Sequence, residues 1–320
     1  MSIATNGFYD VVIIGGGAAG MTAAIYTCRK KLKTLIVTID VGGQNLLTET
    51  EENYPGYVDL SGPKLMSIFE EQAKKFGAEF TFGKAKKVEK NGNNFILTLA
   101  NGESYESRVL ILAFGKVPRA LGIPGEEQFM GRGVSTCSTC DAPLFRNKRV
   151  AVVGGGNSAL EAAELLTKFA TYIYMVHRRD AFRADEITVE KVKAAENVEF
   201  ALNSVPVEIK GDKFVRGVVV EDVNTKERKE LKVDGVFVEI GYIVDTEFVK
   251  DFVKLNEARE IIVNEYCETG YPGIFAAGDV THVPYKQTVI SAGMGATAGL
   301  SAYNYLMKLE GKPGVKIDWS

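Results

Sequence analysis

Two stretches of the chain share one pattern of apolar and small residues. Val11-Val12-Ile13-Ile14 runs into Gly15-Gly16-Gly17 and then a helix-forming segment, Ala18 to Lys30; Val150-Ala151-Val152-Val153 runs into Gly154-Gly155-Gly156 and then Ser158 to Phe169. A β-branched run without alternation predicts a strand buried on both faces, as in a parallel sheet. Each half then continues into a meander. Asn91-Gly92 and Asn101-Gly102 separate the apolar runs around Val88, Phe95 to Leu99 and Val109 to Leu112, and Gly211-Asp212 separates Val205 to Ile209 from Phe214 to Val220. Such pairs suit tight turns that need positive φ. An amphipathic helix is expected after Pro63, with Leu65, Phe69, Ala73 and Phe76 on one face and Gly77 just past its end. The tail from about Val244 lacks a glycine turn of its own and is expected to return to the first half. The linkers are then Lys116 to Gly125 and Gly241 to Asp245, which puts the boundaries at 1–116 with 244–320, and 117–243.

Composition narrows the function. The 320 residues are 46% hydrophobic and 25% charged, which suits about two globular domains. The 38 Lys and Arg are scattered among 41 Asp and Glu, a net charge of −3, so no basic footprint for nucleic acid or an anionic membrane is present. The longest apolar stretch, Val11 to Tyr26, is broken by glycines and is too short to span a bilayer. Met1 to Asp10 shows no secretory leader. A cytoplasmic protein is expected.

The glycine turns point to dinucleotides. Gly15, Gly17 and Gly20 form a Gly-x-Gly-x-x-Gly pattern between a strand and a helix: Gly15 for the turn, Gly17 for close approach of a pyrophosphate, Gly20 for packing of helix on strand. Asp40, at the end of the Thr34 to Ile39 strand and about 20 residues on, stands where a ribose-binding carboxylate is expected. The second turn has Gly154, Gly156 and Ala159, and its next strand, Thr171 to Val176, ends in His177-Arg178-Arg179, with Arg183 beyond. Guanidinium groups there bind a 2′-phosphate that a carboxylate would repel, so NADPH is expected; a solvated basic cluster is the alternative. A second nicotinamide would be redundant, so the first half is read as an FAD site. The expected fold is α/β, with two Rossmann-like dinucleotide-binding domains of three-layer ββα type. The NADPH domain, 117–243, is inserted in the FAD domain.

Cys137-Ser138-Thr139-Cys140 is followed at once by Asp141. This spacing lets two thiols close a disulfide and one of them form a reactive thiolate, with Asp141 as proton carrier. Zinc would need two further ligands, and only Cys28, Cys267, His177 and His282 remain, so no metal is expected. Cys28 and Cys267 are read as inert, and His282 as structural.

Together these residues resemble the low-molecular-weight NADPH-dependent thioredoxin reductases, and the likeness runs along nearly the whole chain. It is carried by Gly15 to Gly20, Gly42-Gly43-Gln44, Glu52-Asn53-Tyr54-Pro55-Gly56, Cys137 to Asp141, Gly154 to Ala159, His177 to Arg183, Ala276-Ala277-Gly278-Asp279-Val280 and Tyr285-Lys286-Gln287. The resemblance implies that Gly43, Gln44, Asn53, Gly115, Gly278, Asp279 and Gln287 serve the FAD. It implies that Gly154, Gly156, Asn157, Ser158, Ala159, His177, Arg178, Arg179, Arg183 and Gly241 serve the NADPH. It further implies that Cys140 takes electrons from the flavin while Cys137 attacks thioredoxin or a similar small redox protein, that the chain forms a homodimer, and that the NADPH domain rotates between two orientations.

Two departures stand out. Ala113-Phe114-Gly115 replaces the usual Ala-Thr-Gly, and Asp141-Ala142-Pro143 the frequent Asp-Gly. The segment Val283 to Gln287 also looks like the reductase component of alkyl hydroperoxide reductase. A carrier linked to a peroxiredoxin or resembling a glutaredoxin therefore stands as an alternative acceptor. Other readings are a flavoprotein with a non-disulfide acceptor and a non-enzymatic redox sensor.

Overall fold

The structure, a computed structural model, describes residues 5–48, 51–58 and 60–314. The first four residues of the N-terminal segment read above as lacking a leader, and the end of the tail, lie outside that range. The chain divides into two units, 1–117 with 244–320, and 118–243. It crosses between them at β7 (Val117–Pro118) and β16 (Tyr242–Ile243).

In the first unit β1 (Phe8–Gly16) lies between β2 (Thr34–Val41) and β6 (Ser104–Leu112), all parallel, and β3 (Glu79–Phe82) extends the sheet beyond β2. Strand β6 is shared along its length. Its first half pairs antiparallel with β5 (Asn94–Leu99), which pairs with β4 (Ala85–Asn91); its second half pairs in parallel with β17 (Ile274–Ala276), returning from the far end of the chain. Alternation along β1 assigns its two faces. Val11 and Ile13 pack under α1 (Ala18–Arg29), α2 (Gly62–Lys75) and α6 (Thr288–Leu309), whereas Val12 and Ile14 pack under the meander with Val88, Phe95 and Leu97. Both strand faces are buried, each fully covered Val, Ile or Leu contributing about 1.5–3 kcal/mol.

Helix α2 starts where the sequence places it, with Ser61 Oγ accepting from Lys64 N–H at 3.4 Å and a proline in the first turn. Phe76 departs from expectation: the helix stops at Lys75, and Phe76 lies exposed beneath the Arg29 guanidinium. Strand β2 runs to Val41, two residues further than expected, so Asp40 lies within it.

The second unit repeats the plan. Strands β9 (Arg149–Val153), β10 (Tyr172–Val176), β11 (Val198–Ala201), β15 (Gly235–Val238) and β8 (Val134–Ser135) form a parallel sheet in the order β11-β10-β9-β15-β8. One face packs on α4 (Asn157–Leu166) and α5 (Glu186–Ala194), the other on the antiparallel sheet β12 (Ser204–Gly211), β13 (Val215–Asp222) and β14 (Arg228–Lys232). A short helix, α3 (Ser138–Asp141), carries the cysteine pair. Among the described residues no helix is long and apolar enough to cross a membrane.

Candidate active site

The first glycine turn closes at the C-terminal end of β1. Gly15 holds φ +116°, and a Cβ there would lie 2.2 Å from Ala113 O; one on Gly20 would lie 1.9 Å from Gly15 O. Both must be glycine for the turn and for α1 to seat. Gly17 and Gly43 are glycine for another reason. A Cβ on Gly17 meets nothing nearer than Gly42 O at 3.8 Å, and one on Gly43 nothing nearer than Gly17 Cα at 3.9 Å. The two line a cradle walled by backbone. Gly17 is the N-cap of α1, no side chain caps the helix and no acid stands in its first turn, so its N–H groups and the positive end of its dipole suit a pyrophosphate.

Around the cradle, residues distant in sequence converge. Asn53 Nδ2 donates to Gln287 Oε1 at 2.9 Å, Gln44 Nε2 to Lys116 O at 3.1 Å, and Ser291 Oγ to Asp279 Oδ1 at 3.2 Å. Thr288 Oγ1 donates to Asn45 Oδ1 and to buried Glu51, fastening these two residues to the start of α6. Gly278 takes φ +77° against Ala19, and Gly115 takes φ +64° in open space. Asp40 Oδ1 accepts from Gly43 N–H at 2.7 Å, so one oxygen of the expected ribose ligand already holds the loop. The Phe114 ring packs tilted against Phe248, centroids 5.0 Å apart, in the apolar layer under the meander. An aromatic ring can therefore replace the usual threonine here.

Sequence reading missed a charged cluster in the same unit. Glu260 accepts from Lys116 Nζ at 2.9 Å and from Asn256 at 2.8 Å, and pairs with Lys286 at 3.1 Å. Burial alone would raise its pKa, yet Lys116, Asn256 and Lys286 hold the carboxyl down at about 2. Lys116 and Lys286 reach Glu260 from distant parts of the chain, so no local motif announces the cluster.

The second glycine turn has Gly154 at φ +154°, where a Cβ would meet Glu239 O at 2.2 Å, while one on Gly156 would meet nothing within 4 Å. Ala159 is fully buried under the sheet beside Gly154. Helix α4 opens on Gly156 with no side-chain cap and no acid in its first turn. This cradle too is open and fits a phosphate-bearing ligand.

His177 faces inward, beneath the glycine turn. Its ring is buried, its atoms 2.2 Å from where a Gly155 Cβ would stand, stacked on Phe182, with Nε2 bonded to Ala181 O at 3.1 Å. Burial pushes its pKa down against that bond, and Arg178, Arg179 and Arg183 push it further. His177 thus shapes the turn. Among the described residues none of the three guanidiniums makes a hydrogen bond or ion pair. Arg178 and Arg183 are exposed, and Arg183 N–H donates to Gly155 O at 2.8 Å, which ties the basic loop to the glycine turn. Asn157 is also engaged: its amide and Asp185 bond reciprocally at 3.1 and 2.9 Å, bracing the loop end. Gly241 takes φ +88° in open space, and Arg119 N–H donates to its carbonyl at 2.8 Å.

In the same unit Cys137 and Cys140 form a disulfide. Cys137 caps α3, and Cys140 N–H donates to Cys137 Sγ at 3.2 Å; Cys140 is exposed and Cys137 and Asp141 half-buried. Ser135 braces the turn from behind through Cys137 N–H and O. The other thiols are passive. Burial pushes Cys28 up, against bonds from Thr34 and Thr27, and pushes Cys267 up to about 11, so both stay protonated at neutral pH. Among the described residues no group of three or more His, Cys, Asp or Glu could hold a metal ion.

Residues 9–296 match the family pyridine nucleotide-disulphide oxidoreductase. The chain is 40% identical over 301 residues to a subunit of the alkyl hydroperoxide reductase of Staphylococcus aureus and, over the same length, to an NADH dehydrogenase of Bacillus subtilis. Each match covers 94% of this chain but 59% of the relative. Among solved structures, Lactococcus lactis thioredoxin reductase matches with a TM-score of 0.78 and 40% identity, covering 94% of this chain and 99% of that one.

Proposed function

The chain belongs to the pyridine nucleotide-disulphide oxidoreductases, and from that premise we propose that it carries electrons from NADPH, through FAD, to the Cys137–Cys140 disulfide and on to the disulfide of thioredoxin or a similar small redox protein. In this proposal it works in the cytoplasm, and as a homodimer, as its resemblance implies. One observation carries the reading: an accessible disulfide stands in the same unit as an open glycine turn, to which a loop bearing three unpartnered guanidiniums is tied through Arg183 N–H.

In this reading the Gly15–Gly20 turn and α1 hold the FAD pyrophosphate, and Asp279, set by Ser291, holds its polyol chain. Asn53, Gln287 and Gln44 lie toward its ring system. Bound flavin supplies a carrier that accepts a hydride and returns an electron pair. The Gly154–Gly156 turn and α4 hold the coenzyme pyrophosphate, and Arg178, Arg179 and Arg183 take the 2′-phosphate. Cys137, once reduced, receives the Cys140 N–H bond on its sulfur, which favours its thiolate and suits it to attack an external disulfide. Cys140 then closes on the mixed disulfide, and Asp141 carries the proton to the leaving thiolate.

A second reading shares the chemistry but changes the partner. The 40% identity to a component of alkyl hydroperoxide reductase favours a carrier serving a peroxidase. Anaerobic titration with NADPH and separately NADH, following flavin absorbance, tests the donor. Bleaching by NADPH at far lower concentration, reversed by oxidised thioredoxin, is the expected result. No bleaching by NADPH would overturn the donor assignment, and bleaching that thioredoxin cannot reverse would favour the second acceptor.

A further inference from the structure

Glu260 takes no part in the proposed relay, yet its carboxyl closes a ring of contacts at the edge of the first cradle. Gly43 faces Gly17 across that cradle, and the next residue, Gln44, donates from Nε2 to Lys116 O at 3.1 Å. Lys116 in turn donates from Nζ to Glu260 Oε1 at 2.9 Å, and the same oxygen lies 3.1 Å from Lys286 Nζ. Lys286 precedes Gln287, which accepts from Asn53, and Thr288, which donates to Asn45 Oδ1 at 2.6 Å. Asn45 follows Gln44, so the path returns to its start within one unit.

Glu260 is itself held in place. Asn256 Nδ2 donates to Glu260 Oε2 at 2.8 Å, and Asn256 Oδ1 accepts from Glu260 N–H at 2.8 Å. The next residue, Ile261, is tied twice to the segment after Asp279: its N–H donates to Val280 O at 2.9 Å, and its carbonyl accepts from His282 N–H at 3.0 Å. Lys286 Nζ donates to Thr281 O in the same segment. Only 13% of the Glu260 side chain is exposed, with 21% of Lys116 and 23% of Lys286. Among the described residues neither lysine pairs with another acid. Loss of the carboxylate would therefore leave two poorly solvated ammoniums to repel each other.

We propose that Glu260 is a positioning residue for the flavin site: by drawing Lys116 and Lys286 onto one carboxylate, it sets the Gln44 amide and the Asn53–Gln287 pair at the edge of the cradle and slows the escape of bound FAD. The inference rests on the proposed function only in placing FAD at the Gly15–Gly20 turn, with Gln44, Asn53 and Gln287 toward its ring system. A glutamine at 260 keeps the shape and an acceptor oxygen but not the charge. The two lysines then part, one taking its carbonyl from Gln44 and the other shifting Gln287.

The test follows exchange of FAD on the purified holoprotein. The protein is held in excess isotopically labelled FAD and desalted at intervals, and the flavin it retains is analysed by mass spectrometry. Glu260→Gln is expected to release FAD at least about fivefold faster than the wild type. A merely structural role would add the same factor in any background, whereas a role through Gln44 and Gln287 makes the effects non-additive. In Gln44→Ala or in Gln287→Ala the factor caused by Glu260→Gln is therefore expected to be at least about twofold smaller. A release rate within about twofold of the wild type, or an undiminished factor in both backgrounds, overturns the proposal. Should Glu260→Gln fail to fold, Lys116→Met removes one arm and leaves Glu260 with Lys286 and Asn256; its release is expected to be at least about threefold faster, and an unchanged rate overturns the proposal equally. A wild type that holds FAD but is neither bleached by NADPH nor reoxidised by thioredoxin would strike the proposed relay, while the exchange rates still decide this inference.

Discussion

Replacing Arg178 and Arg179 together by Gln removes two of the three free guanidiniums at the second glycine turn and leaves His177 beneath Gly155 in place. Charge-assisted hydrogen bonds contribute about 1.5–3 kcal/mol each. The double variant is therefore expected to raise the KM for NADPH by at least about tenfold while that for NADH stays within about twofold, measured by steady-state flavin reduction. An equal loss for both coenzymes would show that the arginines do not read the 2′-phosphate. At this scale the sequence was most informative where chemistry dictates a residue type, as at Gly15, Gly20 and the Cys137–Cys140 pair. It was least informative where a side chain had two possible employments. His177 belongs to the basic run by position, but its ring fills the space under Gly155; Asp40 and Asn157 spend side-chain bonds on their own loops. Glu260 carries little local signal, because Lys116 and Lys286 reach it from distant segments.

Helix α6 meets α1 through glycine. A Cβ on Gly295 would stand 2.2 Å from Ala19 O, and one on Gly299 2.9 Å from Ala23 O. Two backbones this close give each helix a groove only small residues fit. Gly295→Ala is expected to destabilise the protein by about 1–3 kcal/mol despite alanine's higher helix propensity, and to lower flavin content, since α1 also forms the first cradle. Urea unfolding and the ratio of flavin to protein absorbance check both; an unchanged or raised midpoint would mean the helices can part at little cost. The same feature explains why α6 is hard to read in sequence. Its glycines look like breakers and its apolar residues run all round it, so neither period nor caps mark it. By contrast, the two strand–turn–helix starts are legible because period, turn and helix agree locally.

Each unit has its own interior. All four apolar clusters lie within one unit or the other, with Val150, Val152 and Phe237 on one side of the second sheet and Ala151, Val153 and Val236 on the other. A fragment of residues 118–243 is therefore expected to fold alone, with a single cooperative urea transition and native-like circular dichroism. Residues 1–117 alone are expected to fail, because β17 and α6 come from beyond residue 243. A molten 118–243 fragment would show that its core depends on the rest of the chain. Near the two ends of that segment, Arg119 N–H reaches Gly241 O at 2.8 Å. A stretch of chain that begins and ends at one point can be lost, gained or traded as a cassette during evolution. The half that receives it could thus acquire a different electron donor and a different outlet in one recombination event, with no change to its own fold.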